Sequence, residues 1–194
     1  LLAGGDVVET DLVILSIGVR PDSKLAVNAG LKTGRTGAIV VNEYLQTSDP
    51  DVYAVGDAIE FVNPITGQTM PTYLAGPANK QGRICADNVV LGNKQRYKGA
   101  INTAIVKVFE MTAGTTGMAS KHLAAAGIEH IVSTTHSGSH AGYYPGAQQM
   151  SIQLAFSPVD GTLLSAQIAG FEGVDKRIDV LSSVISRKST IFEL

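Results

Sequence analysis

Thr47-Ser48-Asp49-Pro50-Asp51-Val52-Tyr53-Ala54-Val55-Gly56-Asp57-Ala58 decides how the rest of the chain is read. Asp49-Pro50-Asp51 signals a turn, because proline fixes φ and pushes the residue before it toward extended geometry. Val52 to Val55 is an apolar run too short for a helix and predicts a buried strand. Gly56 lets a backbone or ligand approach closely, since no Cβ stands in the way. Asp57 then falls at the end of the strand, where open α/β sheets bind their ligands. A carboxylate there accepts hydrogen bonds from sugar or polyol hydroxyls and suits a phosphate poorly. A bare Gly-Asp pair also fits an ordinary strand-to-loop turn.

Working outward, Asp11 to Ile17 predicts an apolar strand, and Pro21 to Ala29 a short helix with proline near its start and Gly30 after its end. Ala38 to Val41 reads as a further strand. Pro77 to Leu91 reads as a helix ended by Gly92, with Ala78, Gly82, Cys85 and Val89 on one face. Composition shifts near Gly92 to Gly99, so two units are expected, residues 1–97 and 98–194. The second predicts strands over Thr103 to Phe109 and Ile128 to Thr135, with a helix over Ser120 to Ala126 between them. A hairpin of Gln149 to Phe156 and Thr162 to Ala169 turns at Asp160-Gly161, and Asp175 to Arg187 closes as a helix. Strands joined by short turns favour an antiparallel sheet, so the second unit reads as α+β.

Composition narrows the function classes. Fifteen basic residues against 17 acidic give no field for nucleic acid. No apolar run reaches the roughly 18 residues a membrane span needs, and no signal-peptide pattern occurs. The single cysteine, Cys85, fits a reducing, cytoplasmic setting. It lies mid-helix among Ala86, Val89 and Val90, with no acid or histidine at helical spacing to activate it, so it reads as a structural thiol. His136 and His140 are four residues apart, but Ser137-Gly138-Ser139 between them is a loop signature, and no metal site is expected.

Taken with Ile14-Leu15-Ser16-Ile17-Gly18-Val19-Arg20-Pro21-Asp22, Gly37 to Val41 and Leu74-Ala75-Gly76-Pro77-Ala78-Asn79-Lys80-Gln81-Gly82, the opening stretch resembles the pyridine nucleotide-disulfide oxidoreductases, flavoproteins with two dinucleotide-binding domains. The resemblance implies FAD and NAD(P)H as cofactors. Gly56 and Asp57 would meet the ribityl chain, and Leu74 and Ala75 the flavin pyrimidine edge. No G-x-G-x-x-G turn and no short Cys-containing redox motif are present. The expectation is therefore a C-terminal fragment, inactive alone: the remnant of a FAD-binding α/β domain, with the end of the NAD domain, followed by an α+β dimerisation domain with an antiparallel sheet. The apolar stretch from Leu1 to Ile17 would be an edge without its sheet.

His140-Ala141-Gly142-Tyr143-Tyr144-Pro145-Gly146-Ala147, with Lys107-Val108-Phe109 and Thr115-Thr116-Gly117, resembles the coenzyme A-disulfide reductase and NADH oxidase branch. No acidic residue from Thr135 through Pro158 supplies the His-x-x-x-x-Glu pair of glutathione-reductase-like members. In the branch's reductases a tyrosine from this loop reaches the partner subunit's cysteine; Tyr144 is the candidate and Tyr143 the alternative. A phenol is neutral near pH 7 and can protonate a departing thiolate. Two aromatics before Pro-Gly also simply pack a turn. The resemblance implies a homodimer that reduces a small-molecule disulfide such as coenzyme A disulfide. Reduction of O2 or peroxide is the first alternative, and a non-catalytic dimerisation module the second.

Overall fold

The computed structural model describes residues 3–194. It has α1 at Lys24–Asn28, β1 at Ile39–Val40, β2 at Ile59–Val62, β3 at Thr69–Pro71 and α2 at Ala75–Leu91. There follow β4 at Ala104–Val108, β5 at Met111–Gly117, α3 at Ser120–Ala125, β6 at Ile131–Gly138, β7 at Gln149–Phe156, β8 at Leu163–Gly170 and α4 at Val174–Ser186. Two sheets carry the fold. A small one has the order β1-β2-β3, with β1 and β2 parallel; the larger runs β4-β5-β8-β7-β6 and is antiparallel throughout. The chain is α+β, as its strand rhythm predicts.

The larger sheet forms because alternate residues of β8 find cover. Leu163 and Ile168 join Met150, Val174, Ile178, Leu181 and Ile185, the apolar stripe of α4, in one core. Gly114 is what lets α4 lie so close to β5: a Cβ there would stand 2.6 Å from Ile178. The β7–β8 turn is set as the Asp-Gly pair predicts. Gly161 has φ +74°, and the Thr162 N–H donates to the Asp160 carboxylate at 3.0 Å. A second core, containing Ile39, Leu45, Ile59, Phe61, Ile84 and Tyr97, holds the small sheet against α2. Each fully buried aliphatic side chain there contributes on the order of 2 kcal/mol.

Three expectations need correction. Asp11 to Ile17 is not a strand: Ala3–Arg20 contains a turn at residues 3–5 and is otherwise irregular and exposed, because no neighbouring strand offers it a ladder. Leu1 and Leu2, where the expected apolar edge begins, lie outside the described residues. Val52 to Val55 makes no buried strand either. Tyr53 bridges Gln46 alone, Val52 and Val55 are exposed, and the left-handed Gly56 (φ +77°) ends the extended run. The buried face of α2 is Gln81, Ile84 and Asn88, not the face of Gly82 and Val89; Val89 is exposed and Cys85 half-buried. Two polar side chains outcompeted small apolar ones for the interior because each has backbone groups to bond.

Three strands were not expected at all: β2, β3 and β5, the last a run of small and polar residues held by pairing with β4 and β8. The other differences are ones of extent. The helix expected over Pro21 to Ala29 is the single turn α1, and the helix expected from Pro77 begins two residues earlier. The strand expected over Ile128 to Thr135 sits three residues later, since His136-Ser137-Gly138 remains paired with β7.

Candidate functional site

Asp57 stands in a single 3-10 turn, Gly56–Ala58, between the extended Val55 and β2. It therefore lies at the entrance of β2 rather than at the carboxyl end of a preceding strand. Its side chain is exposed and forms no hydrogen bond or ion pair among the described residues. The turn is held from behind: the Gly56 N–H donates to Gln81 Oε1 at 2.7 Å, and a Cβ on Gly56 would touch Ala78 at 3.9 Å. The turn and the first two turns of α2 are thus one packed unit, which joins Gly56 and Asp57 to the neighbourhood of Leu74 and Ala75.

The N-terminus of α2 is open. Leu74 is the extended N-cap (φ −138°, ψ 135°) and no side chain caps the helix. Ala78 N–H turns back to Leu74 O at 3.2 Å, whereas the Ala75 and Gly76 N–H groups find no acceptor among the described residues. Pro77, lacking an N–H, costs nothing in the first turn. An exposed carboxylate acceptor on a turn packed against α2, together with the unpaired N–H donors and positive dipole at that helix's N-terminus, fits the polyol chain and the electron-rich pyrimidine edge of a flavin. The residues present fit the FAD that the resemblance implies.

Behind this surface lie residues that sequence reasoning did not single out. Gln81 is 1% exposed. The Tyr97 hydroxyl is buried without a partner at hydrogen-bonding geometry, yet Gln81 lies close enough to draw its pKa down. Burial dominates and pushes the Tyr97 phenol above its ordinary value. The signal was present in the spacing of Gln81, Ile84 and Asn88 at three and four residues, masked because two of the three are polar.

Tyr143 and Tyr144 lie in the loop between β6 and β7, in the other unit. The loop base is closed by Ser139 N–H to Gln148 O at 2.8 Å, and Arg177 clamps it by donating to Ser139 O at 2.9 Å. At the tip the Ala141 carbonyl accepts the Tyr144 N–H at 3.0 Å and lies 3.1 Å from His140 Nδ1. Tyr143 is 86% exposed and Tyr144 64%. Tyr144 is flanked by Tyr143 at 5.3 Å and by His140, edge to face, at 6.4 Å between ring centroids. Neither ring is stacked on the Gly56–Ala58 turn.

His136 belongs to β6 and bonds Ser151 Oγ through Nδ1 at 2.9 Å, while His140 turns to Ala141 O. No group of three or more His, Cys, Asp or Glu side chains that could hold a metal occurs among the described residues. No helix among them is long and apolar enough to cross a membrane. Burial raises the pKa of Cys85, the opposite of what an activated thiolate needs.

The chain is similar in sequence and in fold to known proteins. The pyridine nucleotide-disulphide oxidoreductase family profile matches residues 1–92. An NADH oxidase of Methanocaldococcus jannaschii is 35% identical over 98% of the chain, and a coenzyme A disulfide reductase of Staphylococcus aureus (strain bovine RF122 / ET3-1) is 32% identical over 98%. The crystal structure of reduced Bacillus anthracis CoADR-RHD superposes with a TM-score of 0.94 at 44% identity, covering 99% of this chain and 34% of that one. The chain spans 42% and 43% of the length of the two curated relatives. Over residues 1–92 it is thus similar to the pyridine nucleotide-disulfide oxidoreductases, and along nearly its whole length to coenzyme A-disulfide reductases and NADH oxidases.

Proposed function

We propose that this chain is the flavin-completing and dimerising part of an FAD-dependent NAD(P)H:disulfide oxidoreductase whose substrate is a low-molecular-weight disulfide such as coenzyme A disulfide. The observation that carries the reading is the turn that exposes the Asp57 carboxylate, tied through the Gly56 N–H to Gln81 of α2, together with the uncapped N-terminus of that helix. When bound, FAD supplies hydride acceptance from NAD(P)H and onward electron transfer to a cysteine that this chain does not contain. Asp57 accepts hydrogen bonds from ribityl hydroxyls. The backbone at Leu74 and Ala75 donates toward the pyrimidine edge, where negative charge collects on reduction. Tyr144, with Tyr143 the alternative, donates its hydroxyl proton to the thiolate released in the partner subunit's disulfide exchange.

A homodimer, placed in the cytoplasm, follows from the same reading. The open face of the larger sheet carries a hollow of about 460 Å³ lined by small residues, among them Ala113, Ala169 and Ser151. Beside it the β4–β5 hairpin exposes Val106, Val108, Phe109 and Met111, an apolar surface that a second copy would cover.

Anaerobic NAD(P)H oxidation by the enzyme that carries this chain, with coenzyme A disulfide as acceptor, tests the proposal. Turnover that depends on the disulfide supports it. Turnover only in air favours the second reading, an oxidase reducing O2 or peroxide, which the similarity to the archaeal NADH oxidase supports. Absence of both flavin absorbance and NAD(P)H oxidation would leave the chain a dimerisation module without catalysis.

A further inference from the structure

Gln81 occupies the junction of the two flavin-facing groups. It lies on the buried face of α2, in line with Ile84 and Asn88, and is 1% exposed. A buried amide is costly unless its atoms are bonded, so its partners disclose what it is for. Asn88 serves architecture: its amide donates to Tyr44 O and Gln95 O and accepts the Gln95 N–H, tying loops to the end of the helix. Gln81 reaches instead to Gly56 N–H at 2.7 Å, the first amide of the turn that carries Asp57. Because the Gly56 N–H can only donate, the side-chain oxygen of Gln81 must be the atom that faces it. The Tyr97 hydroxyl, buried nearby with its ring edge to face on Phe61 at 5.1 Å, forms no hydrogen bond with Gln81.

We propose that Gln81 is the positioning residue of the flavin half-site: its oxygen locks the Gly56–Asp57 turn to the first turns of α2, so that the ribityl-binding carboxylate and the pyrimidine-facing backbone keep a single spacing. The proposal rests on the flavin reading of Asp57 and adds a residue that does not touch the cofactor. Gly56 has φ +77°, a conformation with alternatives close in energy for glycine, and its backbone amide has no other acceptor among the described residues. Without the Gln81 oxygen the turn keeps its sequence and loses its fixed direction.

The test uses the full-length holoenzyme and two variants on the same buried helix face. Gln81→Met keeps the volume and removes the acceptor; Ile84→Ala loosens the core without touching the turn. FAD dissociation is followed by flavin fluorescence, amide exchange at Val55–Asp57 by mass spectrometry, and melting temperature on the apoprotein. Gln81→Met is expected to weaken FAD by about tenfold or more and to speed exchange at Gly56. Ile84→Ala should lower the melting temperature at least as much while holding FAD as the wild type does. Equal FAD loss in both variants, or unchanged Gly56 exchange in Gln81→Met, overturns the proposal. If Gln81→Met does not fold, Gln81→Leu carries the test: it too removes the acceptor, FAD dissociation and Gly56 exchange should both rise, and no change in either contradicts the proposal. A wild-type enzyme that binds no FAD refutes the flavin reading itself, a result distinct from a flavin-loaded wild type whose variants behave alike.

Discussion

The Gly56–Asp57 turn and the Tyr143–Tyr144 loop are both short, glycine-bearing and exposed at their tips, yet they are held in opposite ways. The turn is gripped from beneath by a fully buried glutamine and rests on a 17-residue helix. The loop is closed at its base by Ser139, Gln148 and Arg177, and beyond that base two tyrosine rings stand largely in solvent. The first is finished within the chain; the second has aromatic surface with nothing of its own chain to cover it. That contrast is what a cofactor half-site and a residue lent to a partner would show.

The contrast can be broken most forcefully at the loop. Tyr144→Phe removes only a hydroxyl, and loss of a proton donor at the reacting sulfur should lower disulfide turnover by about 10²-fold with FAD content unchanged. Steady-state kinetics with coenzyme A disulfide reads this, and an unchanged kcat would reduce the ring to turn packing. At the other region, Asp57→Ala should weaken FAD by about 10-fold to 100-fold while leaving the fold intact, since the carboxylate has no partner inside the described chain to lose. Retention of stoichiometric flavin through dialysis would contradict the assignment.

Glycine substitutions sharpen the comparison of rigid and open backbone. A Cβ on Gly117 would lie 2.2 Å from Leu164 O, at φ +78°, so Gly117→Ala should cost about 3 kcal/mol. Gly146, in the loop at φ +86° with open space around it, should cost only about 1 kcal/mol on the same change. Urea melts of the two variants decide whether the loop is as unconstrained as its geometry implies.

The smallest expected effect is on acid stability. The Thr162 backbone N–H first, then the Ser157 and Thr162 side chains, hold Asp160 below its ordinary pKa, and the Thr190 N–H does the same for Glu193. A depressed folded-state pKa contributes stability that is present above the unfolded value, about 4, and is lost as pH falls through the folded one. Melting temperature should therefore decline below about pH 4, and Asp160→Asn should flatten that decline slightly.

Most of the larger sheet was legible in the sequence because its signals are local and agree with one another; β5 was not, because Met111–Gly117 is rich in glycine and small polar residues and becomes a strand only by pairing with β4 and β8. The Asp160-Gly161 turn, the alternation along β7 and the stripe of α4 each point to the same hairpin and covering helix. The small unit was less legible for physical reasons. Asp11 to Ile17 has strand composition but no strand beside it, so propensity alone could not make it one. The inward face of α2 is set by two amides that bond backbone groups far away in sequence, Tyr44 O and Gly56 N–H, which no periodicity of apolar residues reveals. Asp57 was identifiable as a candidate site residue from its motif, whereas the 3-10 turn that presents it depends on Gly56 leaving the extended region, and Gln81 became visible only through its partner.

The most direct test of a chain that holds one flavin and lends a tyrosine to another is complementation between subunits. Asp57→Ala and Tyr144→Phe homodimers of the full-length enzyme should each be nearly inactive toward coenzyme A disulfide. Mixed by subunit exchange, they should recover about a quarter of wild-type turnover, because one site of each heterodimer pairs an intact flavin site with an intact tyrosine across the two-fold axis. No recovery in a mixture shown to contain heterodimers would mean that Asp57 and Tyr144 serve the same subunit's site, and the account of a lent residue would be wrong.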